Sequence, residues 1–196
     1  MIRRFNTMAV LVIGACAAVL GGCSTPSINA VYSDDEHEIT TDDRIVGYWA
    51  EDGKDTKTRY EVGRRTDEKT NWYPVKILGA GPDKEGGFEL RLVKLGAHTY
   101  ADFYPDQSER SRISDRLALA GLPMHVVYPV VISDEGVKMR PLDMEKVRAL
   151  IRETPQMTPH AVRGDTIILT GDTRQVQEFF RKVVELSRIK HAKLGL

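Results

Sequence analysis

Apolar residues recur with a period of two over most of the chain after Ile45, which predicts strands. Ile45, Gly47 and Trp49 share one face of the first. Tyr60 and Val62 alternate with Arg59 and Glu61. Tyr73, Val75 and Ile77 alternate with Trp72, Pro74 and Lys76. Pro74 has no N–H to donate, so this strand is expected at an edge or with an irregularity. Gly79 to Gly87 is a turn segment. Phe88, Leu90 and Leu92 face one way, and Val93 and Leu95 continue the apolar pattern one residue out of phase. A bulge near Leu92-Val93 would explain the slip. Gly96 suits a tight reversal into a strand over Thr99 to Tyr104.

Pro105 to Gly121 reads as one short helix or a long polar loop, with Ile113, Leu117 and Ala120 spaced by four and three. Pro123 to Ile132 is almost continuously apolar, as a strand buried on both faces would be, and Pro129 again implies an edge or bulge. Val137 and Met139 belong to a returning strand. Asp143 is an N-cap for a helix from Met144 to about Arg152, with Met144, Val147, Leu150 and Ile151 on one side. Thr154-Pro155 ends it. Thr166 to Thr170 is the last predicted strand. Asp172 and Gln175 form a variant capping box for a final helix, whose stripe Val176, Phe179, Phe180, Val183, Val184 is a core-packing face rather than a membrane-insertion face. Its basic tail, Arg188 to Lys193, is solvated or touches anionic head groups. The expected fold is mainly β with α (α+β): a small antiparallel β-barrel or strongly curved sheet of about eight strands, plus two helices near the C-terminus.

The N-terminus follows a different pattern. Arg3 and Arg4 precede an uncharged apolar run, Met8 to Leu20, which ends in Leu20-Gly21-Gly22-Cys23. The run is shorter than the roughly 20 residues a bilayer-spanning helix needs, so it reads as a secretory signal. Leu20-Gly21-Gly22-Cys23 resembles the lipobox of bacterial lipoproteins. The resemblance implies removal of residues 1–22, diacylglycerol on the Cys23 sulfur and acylation of its new amino group. Ser24, where an Asp favours inner-membrane retention in such lipoproteins, implies the outer membrane, with the body facing the periplasm.

The chain has 196 residues and two cysteines. Cys16 would leave with the signal, so residues 23–196 would hold no internal disulfide and depend on a core alone. Basic and acidic side chains number 28 each. Loss of Arg3 and Arg4 would leave a slight acidic excess, which argues against nucleic acid as a partner. Residues 23–43 carry Pro26 and the cluster Asp34, Asp35, Glu36, Glu38, Asp42, Asp43. They are expected to be the lipidated Cys and a flexible acidic tether, with residues 44–196 as a single β domain.

Gly47-Tyr48-Trp49 on the first strand resembles the Gly-x-Trp signature of lipocalin-like barrels. The resemblance implies that Gly47 permits close strand approach, that Trp49 plugs the barrel floor, and that Arg174, past the last strand, packs over the ring through a cation–π contact. The helix at Met144 before the last strand departs from that family's pattern, and its middle motif has no counterpart.

Candidate chemistry is sparse. The histidines are His37, His98, His125, His160 and His191, and none has the helical His-Glu-His spacing of zinc proteases. His98 and Asp102 share a strand face, and His125 on a neighbouring strand could complete a His-Asp-His group; the bland reading is ordinary strand histidines. Glu89 and Asp102 can be drawn as an acid pair. The chain has no Gly-x-Ser-x-Gly, no phosphate loop and no catalytic cysteine. No catalytic residue, metal or cofactor is therefore expected. The function expected is that of a non-catalytic envelope lipoprotein holding a small apolar ligand, a lipid or a partner protein, or a filled barrel that supports envelope integrity; an enzyme acting on the envelope is the third reading.

Overall fold

The computed structural model describes residues 12–13, 25–33, 38–50, 59–64, 71–78, 86–106, 123–134 and 136–193. The expected strands form: β4 (Gly47–Ala50), β5 (Arg59–Val62), β6 (Tyr73–Leu78), β7 (Gly86–Leu95), β8 (His98–Pro105), β9 (His125–Ser133), β10 (Gly136–Met139) and β12 (Thr166–Leu169). Four more were not expected: β1 (Val12–Ile13), β2 (Pro26–Ser27), β3 (Ile39–Thr40) and β11 (His160–Arg163). The helices are α1 (Met144–Glu153) and α2 (Thr173–Lys193). The segment of residues 107–122, read as helix or loop, lies outside the described residues, as does most of the Gly79–Gly87 turn.

β4 to β10 make one antiparallel meander. β9 continues on its far side through β2 to β12 and β11, giving a mixed sheet of twelve strands that does not close. The closed-barrel alternative is thus not the one that forms. The sheet is strongly curved nonetheless. Trp49 from β4 and Val137 and Met139 from β10, at opposite ends of the meander, share one core cluster. Outside the curl, Arg44, just before β4, reaches Asp134 in the β9–β10 turn at 3.1 Å.

The second face of the sheet is also covered. Val93, Leu95, Tyr100 and Val127 project from β7–β9 into a cluster with Val147 and Leu150 of α1 and Val176, Phe179, Phe180 and Val183 of α2. This explains the change of phase at Leu92-Val93. The β7–β8 register runs unbroken from Phe88↔Pro105 to Leu95↔His98, so there is no bulge there. Leu90 and Leu92 fill the curl, while Val93 and Leu95 sit under the helices. A strand buried on both faces needs no alternation. Phe179 and Phe180 are fully buried.

Caps and turns follow local chemistry. Asp143 accepts from the Glu145 and Lys146 amides. Asp172 and Gln175 exchange hydrogen bonds of 3.0 and 2.9 Å, the reciprocal box read from the sequence. Gly96 and Gly164 each open a two-residue hairpin loop at φ near +60°, a conformation that other residues adopt at a cost.

Candidate functional site

The segment expected to be a flexible tether is built into the body wherever the structure describes it. Thr25, Pro26 and Ser27 are buried. Pro26 and Ser27 pair with Val126 and His125 of β9, and Ser27 also lies beside Leu169 of β12. The Ile28 amide donates to the Leu169 carbonyl at 3.0 Å, and Asn29 Nδ2 donates to the Gly171 carbonyl at 2.7 Å. Val31 is fully buried in the helix-side core. Pairing and burial outweigh the polar composition: β2 and β3 add ladder hydrogen bonds to β9 and β7, and Val31, with Tyr32 packed beside it, joins the helix-side core. Among the described residues, the acidic cluster is used as structure. Glu38 Oε2 accepts from the Ser33 amide and hydroxyl and from Gln177 Nε2 of α2, while the Glu38 carbonyl accepts from the Lys94 amide at 2.7 Å.

The pin at the centre of this docking is Asp102. Its side chain is fully buried, with Oδ1 2.9 Å from His125 Nδ1 and Oδ2 accepting from the Val31 amide at 3.2 Å. The β8–β9 register places Asp102 opposite Val127, so His125 two residues away projects from the same face. Tyr104 stacks at 4.5 Å from the His125 ring, Tyr32 meets it edge-on at 6.1 Å, and the Arg91 guanidinium lies 4.5 Å over the Tyr32 ring. Of the anticipated His98–Asp102–His125 group, the structure brings two together. His98 contacts the Tyr100 ring instead. His98 lies four strand steps from Asp102, about 13 Å, too far for one ligand set. Among the described residues, no three His, Cys, Asp or Glu side chains gather as metal ligands would.

Ser27 stands directly across the ladder from His125, so Ser27, His125 and Asp102 fall in a line that sequence reasoning missed. A nucleophilic triad needs a serine–histidine hydrogen bond and room for a substrate. Ser27 Oγ makes no hydrogen bond and is fully buried. The arrangement holds a strand; it does not present a nucleophile.

Trp49 is 4% exposed and donates from Nε1 to the Ile45 carbonyl at 2.8 Å. Gly47, at φ +148°, lies alongside it, and a β-carbon there would sit 4.0 Å from the indole. Arg174 does not cover the ring. It is exposed, in the first turn of α2, and α2 packs on the opposite face of the sheet from the Trp49 cluster. The two-sided burial of β7–β9 draws the helix to the outer face and leaves Trp49 inside the curl. Cys23 and His37 lie outside the described residues.

The curl is occupied by side chains. Tyr60, Tyr73, Leu90, Leu92, Phe103, Tyr128 and Met139 meet Trp49 there. A cavity of about 190 Å³ beside Thr41, Arg44, Thr99 and Ile132 is smaller than the ~300–1,000 Å³ of typical ligand sites. Arg44 next to it donates to both Asp42 oxygens, which holds the Asp42 carboxyl below its usual range.

The class that fold and site define is a mainly β protein with a curved, filled sheet, two covering helices and a docked N-terminal segment. Comparison with family models, with curated proteins and with solved structures finds no match.

Proposed function

We propose that this protein is a lipid-anchored component of a bacterial envelope, acylated at Cys23, whose body is a non-catalytic interaction module with a filled interior. The signal-like start and Leu20-Gly21-Gly22-Cys23 support the anchor, and Ser24 supports the outer membrane with the body in the periplasm. The observation that carries the module over a ligand carrier is the packing of Trp49, Tyr60, Tyr73, Phe103 and Tyr128 inside the curl, where a lipocalin-like carrier would hold its ligand. The buried Ser27 and the commitment of both Asp102 oxygens support a non-catalytic role. The test is a native mass spectrum of the protein released from its own membranes. The expected species is residues 23–196 plus acyl chains and nothing else. A stoichiometric small apolar ligand would overturn the filled-module reading in favour of a carrier.

A further inference from the structure

The docked segment fixes where the proposed anchor leaves the body. Thr25 is 1% exposed, and its Oγ1 lies 3.6 Å from Met144 Sδ at the start of α1. Two trans peptides span at most about 7.6 Å between α-carbons, so Cys23 stays within that distance of Thr25. A chain acylated at Cys23 has no slack to let its body swing freely, and the surface around Thr25 must face the lipid.

The registers identify that surface. One step before Pro26, the ladder is level with Val127 on β9 and with Ile167 on β12. β10 takes up the same side of β9 farther along, where the Arg140 amide donates to the Pro129 carbonyl. Arg140 is therefore two strand residues, about 7 Å, beyond the level of Thr25. On the other side, Val162 pairs with Ile167, two strand spacings or about 10 Å across, and Arg163 follows it into the hairpin turn. Val162 is 65% exposed, and Arg140 and Arg163 are exposed. Nearby Lys146 and Arg148 are neutralised by Asp143 and Asp165. Among the described residues, Arg140 and Arg163 have no such partner.

Resting on the acylation of Cys23, we propose that the rim bearing Arg140, Val162 and Arg163 sits on the bilayer, with Val162 at the head-group level and the two guanidinium groups against lipid phosphates. A single exposed apolar side chain flanked by free cations fits an anionic lipid surface better than a protein core.

The experiment uses the full-length precursor, matured in a bacterium and reconstituted into phosphatidylethanolamine–phosphatidylglycerol vesicles. A polarity-sensitive dye is placed at Val162→Cys or, at the far end of the strand order, at Tyr48→Cys. Acylation would block the Cys23 thiol, so labelling is specific. The dye at 162 should emit to the blue, be quenched by spin-labelled lipid, and be several-fold less accessible to acrylamide than the dye at 48. Arg140→Glu with Arg163→Glu should bring position 162 towards the value at 48. Equal accessibility of the two positions, with acyl mass confirmed on Cys23, would overturn the orientation alone. An unacylated Cys23 would overturn the anchor reading and this inference together.

Discussion

Pro74 and Pro129 show how a single residue can be placed against its propensity. Both lie in strands with neighbours on each side, where a missing N–H is expected to leave a gap. Each sits where one neighbouring ladder stops. The Gly63 amide donates to the Pro74 carbonyl at 2.8 Å just past the end of β5, and the Arg140 amide donates to the Pro129 carbonyl at 3.1 Å just past β10. The closing pair then needs one hydrogen bond rather than two, and no bulge is required. Ser27 is the opposite case, a buried hydroxyl with no partner. Ser27→Ala should raise stability by about 1 kcal/mol in a denaturant titration, since an orphaned buried polar group costs roughly 1–3 kcal/mol; a loss of stability would mean that the hydroxyl is satisfied. Asp102→Ala should cost about 1–3 kcal/mol for each partner it orphans, His125 Nδ1 and the Val31 amide, and should speed hydrogen exchange at Val31. Asp42 carries a pH signature. The hydrogen bond from Arg44 lowers its pKa below the ordinary 3.8. A carboxyl whose folded pKa is depressed stabilises the fold above its unfolded pKa, and that contribution is lost as pH falls through the folded value. Wild type should therefore be modestly more stable than Asp42→Asn at pH 7, with the difference starting to shrink only below about pH 4 and vanishing once the pH is under the depressed folded value; a difference that persists there would assign it to the turn cap at Arg44 rather than to charge.

At the scale of elements, the N-terminal segment behaves as part of the sheet. β2 fills the far side of β9 where β10 does not reach, and β3 does the same for β7 beyond β6, pairing at Leu92 and Val93. A chain starting at Thr41 loses Pro26, Ser27 and Val31 from the interior. The side chain of Val31 alone is worth about 1.5–3 kcal/mol of burial. Such a chain should keep a sheet-dominated circular dichroism spectrum but melt several degrees below one starting at Ser24. Equal melting temperatures would restore the tether reading. The β11–β12 hairpin was legible in principle, because Ala161-Val162 and Ile167-Ile168 flank Gly164-Asp165, a two-residue turn pair. The short strands β2 and β3 had no such signal, because two residues cannot display a period.

For the whole molecule, the curved sheet separates two cores, and that separation decides which residues can cooperate. Trp49→Ala should cost about 3–5 kcal/mol, as large aromatic truncations do. Arg174→Ala should stay within about 0.5 kcal/mol, as exposed substitutions do. A double-mutant cycle should then be additive within about 0.3–0.5 kcal/mol, because the two groups share no contact. Coupling beyond that would place Arg174 back over the ring. Anchoring is tested separately. Cys23→Ala should leave the chain uncleaved or without acyl mass, and a mature membrane-bound form in that variant would remove the basis of the lipoprotein reading.

Much of the fold was written in local patterns. Alternation, a continuous apolar run and turn signals together marked eight strands, and Asp143 and the Asp172–Gln175 box marked both helix starts, because caps, turns and alternation depend on residues a few positions apart. The signal-like start and Leu20-Gly21-Gly22-Cys23 are likewise local and can be read without a fold. Tertiary structure decided the rest. It determined that Leu92 and Val93 face different cores, that an acidic stretch docks through Glu38 and Val31, that His125 meets Asp102 while His98 does not, and that Arg174 and Trp49 lie on opposite faces of the sheet. Each of these depends on strand order and curvature, which arise from contacts between residues distant in sequence, and no short window of the chain contains them.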